Sequence, residues 1–129
     1  MIDRIFPAAL LAASLGLASA QAATVQPYQQ AGFAAAQLAN EPILIFVEAP
    51  WCPTCAKERP ILSSLYDTPE FKDLQVFTVD FDTSKSLLRQ LKVQMQSTLI
   101  LYHGEKETAR ATGVTDPDAI KKLLETSRT

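Results

Sequence analysis

Apolar residues along this chain fall into dense short runs and into spaced sets. Three runs stand out: Ile43 to Val47, Val76 to Phe81 and Thr98 to Tyr102. Their length and their content of β-branched and aromatic residues predict buried strands. Pro42 opens the first of them. Spaced sets occupy the intervals: Ile61, Leu62 and Leu65, then Leu87, Leu88 and Leu91, then Ile120, Leu123 and Leu124. Three- and four-residue spacing of this kind predicts one buried face on each of three helices. Tyr28 to Asn40, rich in alanine and glutamine, predicts a further helix, with Phe33, Ala36 and Leu38 facing inward. Phe77, Phe81, Leu99 and Leu101 are core candidates.

Punctuation residues set the boundaries. Thr24 to Pro27 is a short lead-in that suits an edge strand. Pro60 lies inside the second helical set, where its missing N–H kinks the helix. Thr68-Pro69-Glu70 starts a helix with room for about one turn. Asp82 or Thr83 caps the third helix, and Thr115-Asp116-Pro117 starts the last. His103-Gly104-Glu105 reads as a solvent-facing turn, followed by a polar, edge-like strand over Lys106 to Thr112. Early strands separated by helices need parallel crossovers, whereas the last two strands can form a hairpin. The expected fold class is therefore α/β, a small mixed β-sheet with helices on both faces. No repeat or linker divides it.

Residues 1–22 read differently. Arg4 and the amino terminus precede a continuous run of apolar and small residues from Ile5 to Ala18, followed by small residues at A-x-A spacing around Ala20 and Ala22. This is the pattern of a secretory signal cleaved after Ala22, or alternatively after Ala20. The run falls short of the roughly 20 residues that span a bilayer. Membrane contact is thus expected only through this segment, were it to stay uncleaved. Residues 23–129 form one domain. Export places that domain where disulfides persist, most naturally a bacterial periplasm. The net charge of −2 gives no basic patch, which argues against nucleic acid as a partner.

The chain has two cysteines, both in Trp51-Cys52-Pro53-Thr54-Cys55, between a strand and a helix. A cysteine at a helix N-terminus meets unpaired N–H groups and the positive end of the dipole, which favour the reactive thiolate. Cys55 lies one turn on, close enough to bridge. Cys52 is then the attacking thiolate, with one sulfur exposed by the turn, and Cys55 the thiol that resolves the mixed disulfide. Pro53 suits the first helical position, and Pro53 and Thr54 tune the redox potential. Two other readings stay open. A structural disulfide would close a loop of four residues, worth only about 2 kcal/mol. A metal clip would have two sulfurs and the single histidine, His103, far away in sequence. Lys57, Glu58 and Arg59 read as the exposed face of this helix.

With these residues the chain resembles the thioredoxin family over essentially all of residues 23–129. The likeness rests on Trp51-Cys52-x-x-Cys55, Pro60, the strand end Val79 to Asp82, Thr98-Leu99, Gly104 and Gly113. It implies a thioredoxin fold and thiol–disulfide exchange with protein substrates, without an organic cofactor or a metal. It further implies a substrate groove framed by Trp51, Gln96, Ser97 and Gly113 beside Pro53 and Thr54. In an oxidising compartment a reductase of this kind would be recharged by a membrane dithiol protein, whereas an oxidase or isomerase would be reoxidised. The compact layout favours the reductase.

Three positions depart from the family pattern. Ser97 stands where the family has a cis-proline, and a cis bond before a non-proline residue costs about 2.5–4 kcal/mol, so a trans bond and a reshaped loop are expected. That loss would also open the dithiol to metal. Phe46 replaces a buried acid common in the family and Thr78 its lysine partner, so a costly buried pair has gone as a unit. Glu48, on the same strand face as position 46, is the expected proton acceptor for Cys55 in place of that acid.

Overall fold

The computed structural model describes residues 22–129, together with Gly16. The segment read as a signal, residues 1–22, therefore lies almost wholly outside the described residues. Five strands form one sheet: β1 (Thr24–Pro27), β2 (Pro42–Glu48), β3 (Gln75–Asp80), β4 (Thr98–His103) and β5 (Lys106–Thr112). Their spatial order is β1-β3-β2-β4-β5. Pairings β1–β3 and β2–β3 are parallel, while β2–β4 and β4–β5 are antiparallel. The sheet is mixed, as the alternation of runs and spaced sets requires.

Side-chain alternation along β2 sorts the core into two halves. Leu44 and Phe46 face one side with Val76, Leu99 and Leu101. Helices α2 (Pro53–Tyr66) and α4 (Pro117–Thr126) cover that side through Leu62, Ile120 and Leu124. Ile43, Ile45 and Val47 face the other side with Phe77, Val79 and Ile100. There α1 (Gln30–Leu38) and α3 (Lys85–Leu91) supply Phe33, Ala36 and Leu88. Period-two alternation between two apolar faces makes β2 an uninterrupted apolar run.

Several expectations need correction. Leu38 is 80% exposed. It lies five residues from Phe33, about 140° around the helix, so the two cannot share a face. Phe81 is only half buried, because it follows the end of β3 and its ring is covered by the Lys85 ammonium 4.3 Å from the centroid. Helix α3 starts after Ser84 with no side-chain cap. The Asp80 carboxylate instead accepts from the N–H groups of Asp82 and Thr83, forming the turn itself. His103 belongs to β4 rather than to a free turn, and its Nδ1 lies 2.8 Å from the Ser127 carbonyl at the end of α4. Pro69–Phe71 is a single 3-10 turn, as the short span before Asp73 demands.

Candidate active site

Strand β2 delivers the chain to the dithiol. After Glu48, a turn closed by the Cys52 N–H on the Ala49 carbonyl, 3.2 Å, puts Cys52 at the N-cap of α2. Pro53 fills the first helical position, where a missing N–H costs nothing. Cys52 and Cys55 are bridged, with Cα atoms 5.3 Å apart. The Cys52 sulfur also accepts the Cys55 N–H at 3.1 Å, taking the place a serine oxygen holds in an ordinary cap. No acidic residue occupies the first turn of α2, so the positive end of the helix acts on this sulfur unopposed. The expected exposed sulfur is not found in this bridged form: Cys52 is 2% exposed and Cys55 0%. Bonding to Cys55 draws the N-cap side chain inward over the first turn.

Around the bridge, the residues expected to frame a groove fall into two groups. Trp51 is 56% exposed, and its indole Nε1 donates to Asp82 Oδ2 at 2.7 Å, which ties the turn before Cys52 to the end of β3. Pro53 is exposed and Thr54 half-buried. On the other side Ser97 donates its N–H to the Val47 carbonyl at 2.8 Å and accepts from the Gly113 N–H at 2.9 Å. Ser97 and Gly113 are thus joined, with half-buried Gln96 and exposed Met95 just before them. No cis peptide bond occurs among the described residues, and Ser97 has φ of +62°. The bond before Ser97 is thus trans, as expected, and the residue turns through a left-handed conformation while its N–H bonds the Val47 carbonyl.

Phe46 and Thr78 are register partners on β2 and β3. Phe46 packs in the same cluster as both cysteines, and Thr78 Oγ1 reaches the Gln26 carbonyl at 3.5 Å. Glu48, half exposed, accepts from Arg59 Nε at 3.1 Å, while a second Arg59 nitrogen donates to the Ala49 carbonyl at 2.9 Å. Its carboxylate is turned toward the guanidinium along the outer side of α2.

The residue that sequence reasoning placed wrongly is Glu58. It is 0% exposed, and neither carboxyl oxygen has a hydrogen-bond partner. Burial pushes its carboxyl up from an ordinary 4.5 to about 7; the Ser97 hydroxyl and Arg59 oppose the rise and Glu48 adds to it. Ser97 Oγ is likewise buried and without a partner at hydrogen-bond distance. The signal was in the spacing. Cys55, Glu58, Leu62 and Tyr66 lie three, four and four residues apart, so one helical face holds all four. Tyr66 is mostly buried as well; its phenol has no partner, and burial pushes it above its ordinary value. Among the described residues no group of three or more His, Cys, Asp or Glu side chains converges.

The family model described as Thioredoxin matches residues 24–126. The thioredoxin of Chlamydia trachomatis is 34% identical over 100 residues, which are 78% of this chain and 95% of that protein. Thioredoxin H-type of Brassica campestris is 30% identical over 94 residues, 73% of this chain and 75% of its own. Among solved structures, Trxlp from Edwardsiella tarda EIB202 has a TM-score of 0.76 at 44% identity, covering 78% of this chain and 98% of that one.

Proposed function

The chain belongs to the thioredoxin family, whose members are thiol–disulfide oxidoreductases acting on protein disulfides, and from that premise we propose that it is an exported reductase of such disulfides. The observation that carries the chemistry is the Cys52 sulfur at the N-cap of α2, receiving the Cys55 N–H at 3.1 Å. The same N–H and the same helix end favour a thiolate once the bridge is reduced. In this reading the Cys52 thiolate attacks one sulfur of a substrate disulfide, and the other leaves as a thiolate that takes up a proton. Cys55 then loses its proton and attacks Cys52, releasing the second substrate thiol and forming the bridge present here. The substrate gains two electrons and the dithiol loses two. Trp51, Pro53, Thr54, Gln96, Ser97 and Gly113 frame the groove for the substrate segment, and no organic cofactor or metal takes part.

Direction and place rest on further features. The minimal layout, one sheet with four helices and no inserted domain among the described residues, supports a reductase rather than a dedicated oxidant. The apolar run from Ile5 to Ala18 with its A-x-A site supports export to a periplasm. There, recharging needs a membrane protein that presents a dithiol. The equilibrium potential of the Cys52–Cys55 pair separates the directions: about −270 mV, the value of a reducing thioredoxin, is expected, and about −120 mV would make the protein an oxidant. Insulin should precipitate beside the reduced protein. Intact mass of the exported form should begin at Ala23.

A further inference from the structure

A fully buried carboxyl group without a partner is an expense that a fold of this size carries only for a reason. Glu58 lies one helical turn beyond Cys55 on the same face of α2, which puts their Cβ atoms roughly 5–6 Å apart. Opposite, on the loop entering β4, the Ser97 hydroxyl is buried at 3% exposure and is also unpartnered. Of the two cations that flank it in sequence, Lys57 is exposed and Arg59 turns outward to Glu48 and the Ala49 carbonyl, so neither gives Glu58 a hydrogen bond. The remaining neighbours that carry charge or titrate are the two cysteines and Tyr66 on its own helix, with Glu48 on β2. The β2 and β4 side chains on this face of the sheet, Phe46 and Leu99, are apolar. Among the described residues Glu58 is the one buried carboxyl, and it lies on the cysteine-bearing face of α2.

We propose that Glu58 accepts the proton of Cys55 during resolution of the mixed disulfide, and that Ser97 holds the resulting charge arrangement by donating its hydroxyl to the Glu58 carboxylate. This rests on the exchange reaction proposed above. The step balances as follows. The Glu58 carboxylate takes the Cys55 proton, the Cys55 sulfur bonds to Cys52, and the bond from Cys52 to the substrate sulfur breaks with its electron pair on the substrate. That thiolate then collects the proton from Glu58 or from solvent. An acceptor with a carboxyl held near neutrality by burial can both take and return a proton at the working pH. Ser97 is the positioning residue of the pair. Its left-handed backbone brings a hydroxyl where a proline would offer none.

Stopped-flow mixing of the reduced protein with a nitrobenzoate aryl disulfide tests this. The first release of coloured thiolate reports attack by Cys52 and depends on reagent concentration. The second reports resolution by Cys55 and does not. In the wild type the second rate should rise through an ionisation near neutral pH. Glu58→Gln should leave the first phase intact, which shows that the variant is folded, and slow the second about tenfold or more at neutrality with that ionisation lost. Ser97→Ala should move the midpoint upward, since the hydroxyl favours the charged carboxylate. Carbon-13 NMR of the wild-type Glu58 carboxyl in the reduced protein should show the same midpoint, and titration in the ordinary carboxylate range would overturn the assignment without any variant. An E58Q profile that matches the wild type, or loss of the ionisation in Glu48→Gln instead, overturns the Glu58 assignment alone. A wild type with no second phase overturns the exchange reaction along with it.

Discussion

Ser97 combines three properties that ordinarily conflict: it is buried, its hydroxyl is unpartnered and its φ is +62°. A left-handed conformation costs an L-residue roughly 1–2 kcal/mol, so the surrounding bonds must hold it there. They are the N–H to the Val47 carbonyl and the carbonyl to the Gly113 N–H. Placing a proline at position 97 would therefore not be benign. Proline needs φ near −65° and has no N–H to give Val47. Ser97→Pro should lower stability by about 2–4 kcal/mol in thermal or denaturant unfolding. A melting point equal to the wild type would show that this loop has no fixed shape. The trans bond was legible from the absence of proline, since cis elsewhere is costly. The positive φ was not, because serine carries no mark of it in sequence.

Within α2, one face carries the cysteine bridge, a carboxyl group, Leu62 and a phenol in succession. Pro60 sits on the exposed side, so the N–H it lacks removes one bond to the Ala56 carbonyl without disturbing that face. The helix itself was legible from Cys52 to Leu65, and so was its cap. Charge misled the reading of its middle: Lys57, Glu58 and Arg59 look like one solvated stretch, yet only periodicity says which of the three turns inward. Burial of Glu58 also makes the element pH-sensitive. Its folded carboxyl is raised to about 7 from 4.5, so the native state binds the extra proton between those values. Below about pH 4.5 both states are protonated and ionisation adds no cost; as pH rises from there through 7 the folded state loses stability relative to the unfolded chain. The full cost above that range is roughly 3 kcal/mol. Glu58→Gln should then melt above the wild type at pH 8, with the gap closing toward pH 4.5. A gap independent of pH would mean that the carboxyl ionises in the fold as freely as in water.

Across the molecule, the hydrophobic pattern carried nearly all of the architecture. Dense runs became the central strands, spaced sets became helices on two faces, and the polar run Lys106–Thr112 became the β5 edge. Details that depend on contacts between distant segments were not legible. His103 anchors the end of α4, and Asp82 serves an indole rather than a helix. The same holds for the meeting of Glu58 with Ser97, which lie in separate elements on either side of β3 in sequence. That Asp82 contact has a practical sequel. Trp51 is the only tryptophan in the chain, it adjoins the cysteine pair, and a single carboxylate fixes its ring nitrogen. Excited at wavelengths the three tyrosines do not absorb, its light emission is consequently a private gauge of this corner, so the oxidation state of the pair can be followed optically in the unlabelled protein.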